Sequence, residues 1–272
     1  MTSTSDLITR AARQLLRSRY AIALTGAGMS TESGIPDFRG PSGVWTRDPD
    51  AEKRAYRGYD RLLADPAAWW RERSSAPGVL GDLANAMPNA GHYSLAELEE
   101  MGLLKCVLTQ NVDGLHEKAG TFSMLEYHGS VFKLRCMECN SRFSTLDYDL
   151  EQLAREGALP PRCSECSGVV KPDTVSFGEP IPGDVARASD AEARKCDLML
   201  ICGTSAVVYP FAELPRLARS RGKAVSIIEI NAEPTPLTEE GISDYLIRGK
   251  TGELLPRLVE EVKRLKGAAS EG

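Results

Sequence analysis

No stretch of this sequence stays apolar for anything near the roughly 18 residues that a membrane span needs. The N-terminus, MTSTSDLITRAARQLL, carries an acid and two arginines but lacks the apolar core of a secretory signal, and reads as a first helix. Membrane insertion and export are both disfavoured. Clustered positive charge is missing too: 33 Lys+Arg stand against 38 Asp+Glu, a net charge of −5, with no basic tail. Direct nucleic-acid binding is therefore disfavoured, because phosphate contacts need such clusters. Histidine is scarce. With only three in the chain, the candidates for a general base titrating near neutrality are His92, His116 and His128. Internal repeats and low-complexity tracts are absent.

What is present starts with length: 272 residues can bury a sizeable core in one or two domains. Seven cysteines, four of them in two CxxC pairs, suit a reducing cytoplasm with metal binding better than a secreted disulfide framework. Cys136-x2-Cys139 and Cys163-x2-Cys166 make a four-thiolate set fit for a closed, structural zinc site. The segment between the pairs, 140–162, is slightly long for that pattern, and a helical insertion at 146–156 accounts for it. Two redox CxxC pairs are the competing reading, disfavoured because both sit in turn-like polar sequence. Cys106, Cys196 and Cys202 lie in or beside apolar segments and read as core thiols.

Along the chain, apolar spacing predicts a helix at 5–18 and strands at 21–25, 103–108, 197–202 and 224–230, with a short strand near 245–247. Helices are expected at 93–101, 184–195, 211–221 and 252–265, and the last few residues are expected to fray. Residues 46–90 are charged and aromatic without a strand signal and read as helices and loops, with Trp69 and Trp70 as packing residues. Strands alternating with helices predict a parallel doubly wound sheet.

The organising stretch is residues 22–40. A buried strand runs straight into Thr25-Gly26-Ala27-Gly28, where two glycines allow a tight turn and close approach of a ligand to backbone N–H groups. A dinucleotide fingerprint would place a third glycine three positions after Gly28, but Thr31 stands there, and no ribose-binding acid follows about 20 residues on. By itself GAG is equally a plain strand-to-helix turn; the long polar loop after it favours a nucleotide loop of unusual design. Polar residues just past the strand at 103–108, Gln110-Asn111-Val112-Asp113, stand where open α/β sheets place ligands.

The words GAGMSTESGIPDFRG (26–40), TQNVDGLH (109–116), HG (128–129), FGE (177–179), GTS (203–205) and IN (230–231) resemble, in order, those of the sirtuin family, NAD-dependent protein lysine deacylases. The resemblance covers essentially the whole chain and implies a Rossmann-like NAD-binding body (1–45, 88–132, 174–272). Beside it stands a small lobe made of a helical insertion (46–87) and a zinc-ribbon module (133–173). The short termini suggest a stand-alone bacterial or archaeal type of core.

In the reaction the resemblance implies, the acyl oxygen of a modified lysine attacks C1′ of the nicotinamide ribose and nicotinamide leaves. His128 then takes a proton from a ribose hydroxyl, and the products are free lysine, nicotinamide and an acyl-ADP-ribose ester. Asn111 is the second catalytic candidate. The matched positions imply cofactor contacts from Gly26, Ala27, Gly28, Thr31, Asp37, Phe38 and Arg39, with Arg39 suited to phosphate and Phe38 shielding the reactive ribose face. Gln110, Asn111, Val112 and Asp113 resemble the nicotinamide and ribose pocket; Gly203, Thr204 and Ser205 a phosphate contact; Asn231 an adenosine-ribose contact. Lys250 and Thr251 are placed near adenine. His92 and His116 read as structural.

Substrate is expected as an extended peptide between segments 174–178 and 206–209, with Val175, Phe177 and Gly178 on one side and Val207 and Val208 on the other. Ser176 departs from the family's bulky apolar residue. Desuccinylating relatives carry a Tyr-x-x-Arg pair absent from WWRERSSA, so deacetylation is expected over desuccinylation. The partners implied are acetyl-lysine proteins or peptides, with no nucleic acid and no membrane; oligomeric state is not legible. Two other readings stay open: a mono-ADP-ribosyltransferase, and a zinc-containing NAD or ADP-ribose sensor without turnover. Retention of His128, Asn111 and Asp113 favours the deacetylase.

Overall fold

A computed structural model of the chain describes residues 2–40, 43–75, 83–220, 222 and 224–270. The chain opens with α1 (Thr4–Arg17), whose N-terminus is fixed by a reciprocal capping box between Ser3 and Asp6. β1 (Ala21–Thr25) follows and ends in the glycine turn, where two single 3-10 turns, Ala27–Met29 and Thr31–Ser33, carry the loop. Four short helices come next: α2 (Val44–Arg47), α3 (Pro49–Tyr56), α4 (Gly58–Ala64) and α5 (Pro66–Ser75). The helical insertion expected at 46–87 runs through 76–82, which lie outside the described residues.

α6 (Ala90–Glu100) is capped by Asn89 and so starts three residues before the expected 93. β2 (Leu104–Thr109), α7 (Leu115–Lys118) and β3 (Met124–Glu126) lead to the cysteine-bearing hairpin of β4 (Lys133–Cys136) and β5 (Arg142–Ser144). The helix expected at 146–156 is instead a 3-10 turn, Thr145–Asp147, and a shorter α8 (Leu150–Arg155). Two successive caps, Ser144 and Asp149, restart the chain there.

After β6 (Val170–Pro172) come α9 (Gly183–Lys195), β7 (Leu198–Cys202) and α10 (Leu214–Arg219). β8 (Ser226–Asn231), α11 (Pro236–Glu239), β9 (Tyr245–Arg248) and α12 (Thr251–Ser270) finish the chain. The helix expected over 211–221 is a 3-10 turn, Phe211–Glu213, followed by α10, and position 221 lies outside the described residues. The helix expected to end at 265 continues to Ser270, and of the expected fraying tail 271–272 lie outside the described residues.

The main sheet has six strands in the order β3-β2-β1-β7-β8-β9, every pairing parallel. The order reverses at β1, the switch point of a doubly wound α/β fold. Alternation along β1 explains why its run is wholly apolar. Ala21 and Ala23 face a core built with Leu15 of α1, Leu95 of α6 and Leu258 of α12. Ile22 and Leu24 face the opposite core with Ala193 of α9 and Leu214 of α10. A sheet covered on both faces needs apolar residues at every position. Each fully buried Leu or Ile there contributes about 1.5–3 kcal/mol.

A separate antiparallel sheet, β5-β4-β6, carries the cysteines. Its own core joins Leu134, Val170 and Cys163 to Trp70 of α5, whose indole N–H donates to the Val170 carbonyl at 3.0 Å. Among the described residues no helix is long and apolar enough to cross a membrane.

Candidate active site

The loops after β1, β2 and β7 meet at the carboxyl end of the sheet. Gly28 N–H donates to the Gly203 carbonyl at 2.7 Å, and a Cβ on Gly28 would come within 2.8 Å of that oxygen. A Cβ on Gly26 would come within 2.7 Å of the Thr204 side chain. Gly203 has φ of +61°, a left-handed conformation that glycine adopts without strain. The three glycines are thus set by close passage of two loops, and the absence of side chains lets a ligand approach the turn closely; the N–H groups of Gly26, Gly28 and Gly203 are themselves bonded to the Cys202, Gly203 and Ile230 carbonyls. This cradle, filled by any Cβ, fits a dinucleotide phosphate.

Asn111 and Asp113 reach the same loop. Asn111 Nδ2 donates to the Gly26 carbonyl and to Ser30 Oγ, each at 3.0 Å, and Ser30 Oγ donates to Asp113 Oδ2 at 2.7 Å. The second Asp113 oxygen accepts from the Leu115 N–H at 3.0 Å. Sequence reading missed Ser30, completely buried at the centre of this chain of bonds. It also missed the second role of Asn89: besides capping α6, its Nδ2 donates to the Met29 carbonyl at 2.8 Å and Ser33 Oγ at 3.0 Å, lashing the cofactor loop to that helix.

Gln110 links three loops. Its N–H donates to the Thr25 carbonyl at 3.0 Å, its side chain to Thr204 Oγ1 at 2.9 Å, and its carbonyl lies 3.1 Å from His128 Nδ1. A carbonyl only accepts, so Nδ1 of His128 carries the proton and Nε2 is left as the basic nitrogen. Burial lowers the pKa of His128, opposed by that hydrogen bond, so the ring is neutral at pH 7 and ready to accept. The other two histidines lie inside the fold: His116 Nε2 bonds Thr25 Oγ1 at 3.0 Å, and its ring packs edge-on against His92 with centroids 4.8 Å apart.

The remaining candidates spread outward. Val112 accepts at its carbonyl from Val131 N–H at 3.0 Å, and Thr31 Oγ1 donates to the Gly28 carbonyl at 3.1 Å. Asp37 and Phe38 accept from Val44 and Trp45 N–H groups at 2.8 and 2.9 Å. The Arg39 guanidinium lies 4.2 Å over the Trp45 ring and 3.6 Å from Glu52, an aromatic seat that its charge alone does not announce. Ala27 sits half-buried in the first 3-10 turn and Ser205 is exposed beyond Thr204. Asn231 Nδ2 donates to the Thr204 and Glu233 carbonyls at 3.2 and 3.0 Å. Lys250 is exposed, 3.7 Å from Glu253, whereas Thr251 is buried at the start of α12.

Segment 174–178 runs beside His128: Val175 N–H donates to the His128 carbonyl at 2.8 Å. Phe177 packs on Trp45 and Tyr56, with ring centroids 5.2 and 5.0 Å away, and Gly178 has φ of +83°. On the 206–209 side Val207 is exposed and the Val208 carbonyl accepts from Ala212 N–H at 2.9 Å.

The four cysteines converge on one another in the turns of the small antiparallel sheet. Their sulfurs all lie within 4.8 Å of one another, with Cys136 and Cys166 3.5 Å apart and Cys139 and Cys163 3.6 Å apart. Zn–S bonds of about 2.3 Å in a tetrahedron require sulfurs slightly under 4 Å apart, so the set fits zinc.

Residues 26–210 match the Sir2 family. The chain is 46% identical over 250 residues to "NAD-dependent protein deacylase 2" of Pyrobaculum aerophilum, covering 92% of this chain and 94% of that one. It also resembles the crystal structure of a Sir2 homologue–NAD complex, with a TM-score of 0.73 and 38% identity over 94% of each chain. A Sir2 variant with deacetylated p53 peptide and 3′-O-acetyl ADP ribose matches with a TM-score of 0.75 and 32% identity, over 93% of this chain and 98% of that one.

Proposed function

The chain belongs to the Sir2 family, and on that premise we propose that it is an NAD-dependent protein lysine deacetylase that moves the acetyl group of acetyl-lysine onto ADP-ribose and releases nicotinamide. The observation that carries the reading is a convergence at one end of the sheet. The Gly26–Gly28 turn, the Asn111–Ser30–Asp113 chain and the basic nitrogen of His128 share hydrogen-bonded neighbours across three loops.

Bound NAD supplies a ribose C1′ with nicotinamide as its leaving group. The glycine turn with Gly203 and Thr204 cradles the diphosphate, and Arg39 adds a cation at the loop's far end. Asp113, with its buried carboxylate oriented by Ser30 and Leu115, accepts from the carboxamide N–H, and Asn111 orders the loop around it. Gln110 orients His128, whose Nε2 takes a proton from a ribose hydroxyl. Val175, Phe177, Gly178, Val207 and Val208 flank the acyl-lysine. Asn231 holds the adenosine ribose, with Lys250 and Thr251 towards adenine.

Cys136, Cys139, Cys163 and Cys166 would hold a zinc ion; four thiolate ligands suit it to a structural role, holding the small lobe together rather than serving the reaction. The Rossmann-like body (1–45, 88–132, 174–272) and small lobe (46–87, 133–173) are proposed as the two units, supported by a core around Trp70, Leu134 and Val170 separate from the two sheet-face cores. Thiolate ligands and three buried thiols suit the reducing cytoplasm.

The test is to incubate the zinc-loaded protein with NAD, with and without acetyl-lysine peptide, and to follow nicotinamide and acetyl-ADP-ribose. Peptide-dependent appearance of both supports the reading. Label transferred to protein would reassign the chain to ADP-ribosyl transfer, and neither product would make it a sensor.

A further inference from the structure

Between the zinc ligands and the substrate segment lies a buried cluster of charges to which the reaction gives no task. Glu179 Oε1 accepts from Arg135 Nη2 at 2.7 Å and from Lys171 Nζ at 3.1 Å. Its other oxygen accepts from the Ser176 N–H at 3.0 Å. Arg135 Nε lies 3.0 Å from Asp173 Oδ1, which Arg142 approaches at 3.7 Å. Lys171 Nζ also donates to the carbonyls of Pro172 at 2.9 Å and Thr174 at 2.8 Å. The side chains of Lys171, Asp173 and Glu179 are no more than 5% exposed, and that of Arg135 is 10% exposed.

Four charges out of water are costly to hold, and apolar residues of like volume would stabilise such a lobe at least as well. Their arrangement points to position rather than stability. Arg135 stands on β4 next to Cys136, and Lys171 stands on β6 of the same cysteine-bearing sheet. Glu179 and Thr174 bracket segment 174–178. That segment is in turn seated on the histidine turn: Val175 N–H bonds the His128 carbonyl, and Gly129 packs so tightly on the Asp173 carbonyl that a Cβ there would collide with it. The path from zinc sheet to His128 is therefore continuous, hydrogen bond by hydrogen bond.

We propose that Glu179 is a positioning residue for the acyl-lysine substrate: gripped by Arg135 and Lys171 of the zinc lobe, it fixes segment 174–178 against the His128 turn, so that this lobe governs the hold on peptide rather than on NAD. The proposal rests on the deacetylase reading. NAD is held by the loops after β1, β2 and β7, none of which touches Glu179 by the bonds above.

The test compares Glu179→Gln, Lys171→Met and the double variant with wild type, measuring KM for acetyl-lysine peptide, KM for NAD, kcat and bound zinc. Loss of a hydrogen bond to a buried charged group corresponds to about ten- to a hundredfold in an equilibrium constant, so Glu179→Gln is expected to raise peptide KM by about that factor. KM for NAD stays within about twofold, and zinc remains at one per chain. Because the two residues act as a unit, the double variant is no worse than the worse single one.

Equal rises in both KM values, or an unchanged peptide KM, overturn the proposal while leaving the deacetylase reading intact. A wild type that releases no nicotinamide with peptide overturns both. Should Glu179→Gln not accumulate folded, Lys171→Met, which removes one of the two cations on Glu179, carries the same test, with a peptide-specific rise expected and no rise contradicting the proposal.

Discussion

Ser30 Oγ donates to Asp113 Oδ2 across 2.7 Å, joining the loop after β1 to the loop after β2 inside a site that no water reaches at Ser30. The same hydroxyl accepts from Asn111 Nδ2 at 3.0 Å, so one small side chain sets both polar residues of the proposed nicotinamide pocket. Replacing it with Ala removes a donor from the buried Asp113 carboxylate, at about 1–3 kcal/mol for the unsatisfied group, and one of two acceptors from the half-buried Asn111 amide. Ser30→Ala is expected to raise KM for NAD by about tenfold or more, as 1.4 kcal/mol is one decade, with peptide KM little changed. Steady-state kinetics with each substrate varied in turn checks this.

The buried histidine pair makes stability depend on pH in a fixed direction. Burial pushes His92 down to about 4, opposed by the nearby Asp113 charge, and burial together with His92 pushes His116 down to about 3. An unfolded histidine titrates at about 6.5. Below that value the unfolded chain binds protons that the folded chain refuses, so the stability from these neutral rings is complete above about pH 6.5 and falls as pH drops towards the folded values. Each ring contributes a slope of about 1.4 kcal/mol per pH unit. Urea midpoints are expected to fall from pH 7 to pH 5, and His116→Gln is expected to reduce that slope by about one proton.

Thiol chemistry separates the two classes of cysteine. Burial, with the Glu192 and Glu99 charges, pushes Cys106 up to about 12, and burial alone pushes Cys202 up to about 12, so neither forms the reactive thiolate at neutral pH. Cys136, Cys139, Cys163 and Cys166 react only once the metal is removed. Titration with a disulfide reagent should therefore find little reaction in the zinc-loaded protein and four reactive thiols after chelation, with one zinc released. Seven equivalent thiols after chelation would mean that the sheet core had opened as well.

Acyl preference should follow the residues of α5. The indole of Trp70 turns into the small lobe to bond the Val170 carbonyl at 3.0 Å, and Arg73 lies 5.3 Å over the Trp69 ring. Neither arrangement supplies the tyrosine–arginine pair that takes an acyl carboxylate. Acetyl-peptide is expected to be preferred to succinyl-peptide by at least about tenfold in kcat/KM at equal NAD. A succinyl preference would point to Arg71 or Arg73 as an unforeseen carboxylate receiver.

How much of this was legible in the sequence depended on range. The apolar run at 21–24 announced a buried strand because both faces of β1 are covered, and the two CxxC pairs announced their cluster because local turn geometry brings each pair together. His128 was reached by scarcity and by the HG word, not by pattern. Ser30 and the tie from Asn89 to the cofactor loop were missed because they exist only when segments far apart in sequence touch; nothing local marks Ser30, between Met29 and Thr31, as a hub. Asn89 was legible as the opening of α6, although apolar spacing put the helix body at 93–101, whereas the caps at Ser144 and Asp149 around α8 left no mark in that spacing. Glu179 was legible as part of a word but not as a buried charge, since it lies in a loop and its partners Arg135 and Lys171 stand on the cysteine-bearing sheet.

The central claim is that His128, its Nδ1 committed to the Gln110 carbonyl, serves as the base after nicotinamide has left. Its most direct measurement follows His128→Ala with acetyl-peptide, NAD and labelled nicotinamide, reading label exchange into NAD and acetyl-ADP-ribose formation side by side. A positioned base supplies about 10²–10⁴-fold, so product formation should fall by about that factor while exchange persists and the melting temperature is unchanged. Acetyl-ADP-ribose formed by the variant at close to the wild-type rate would contradict the account.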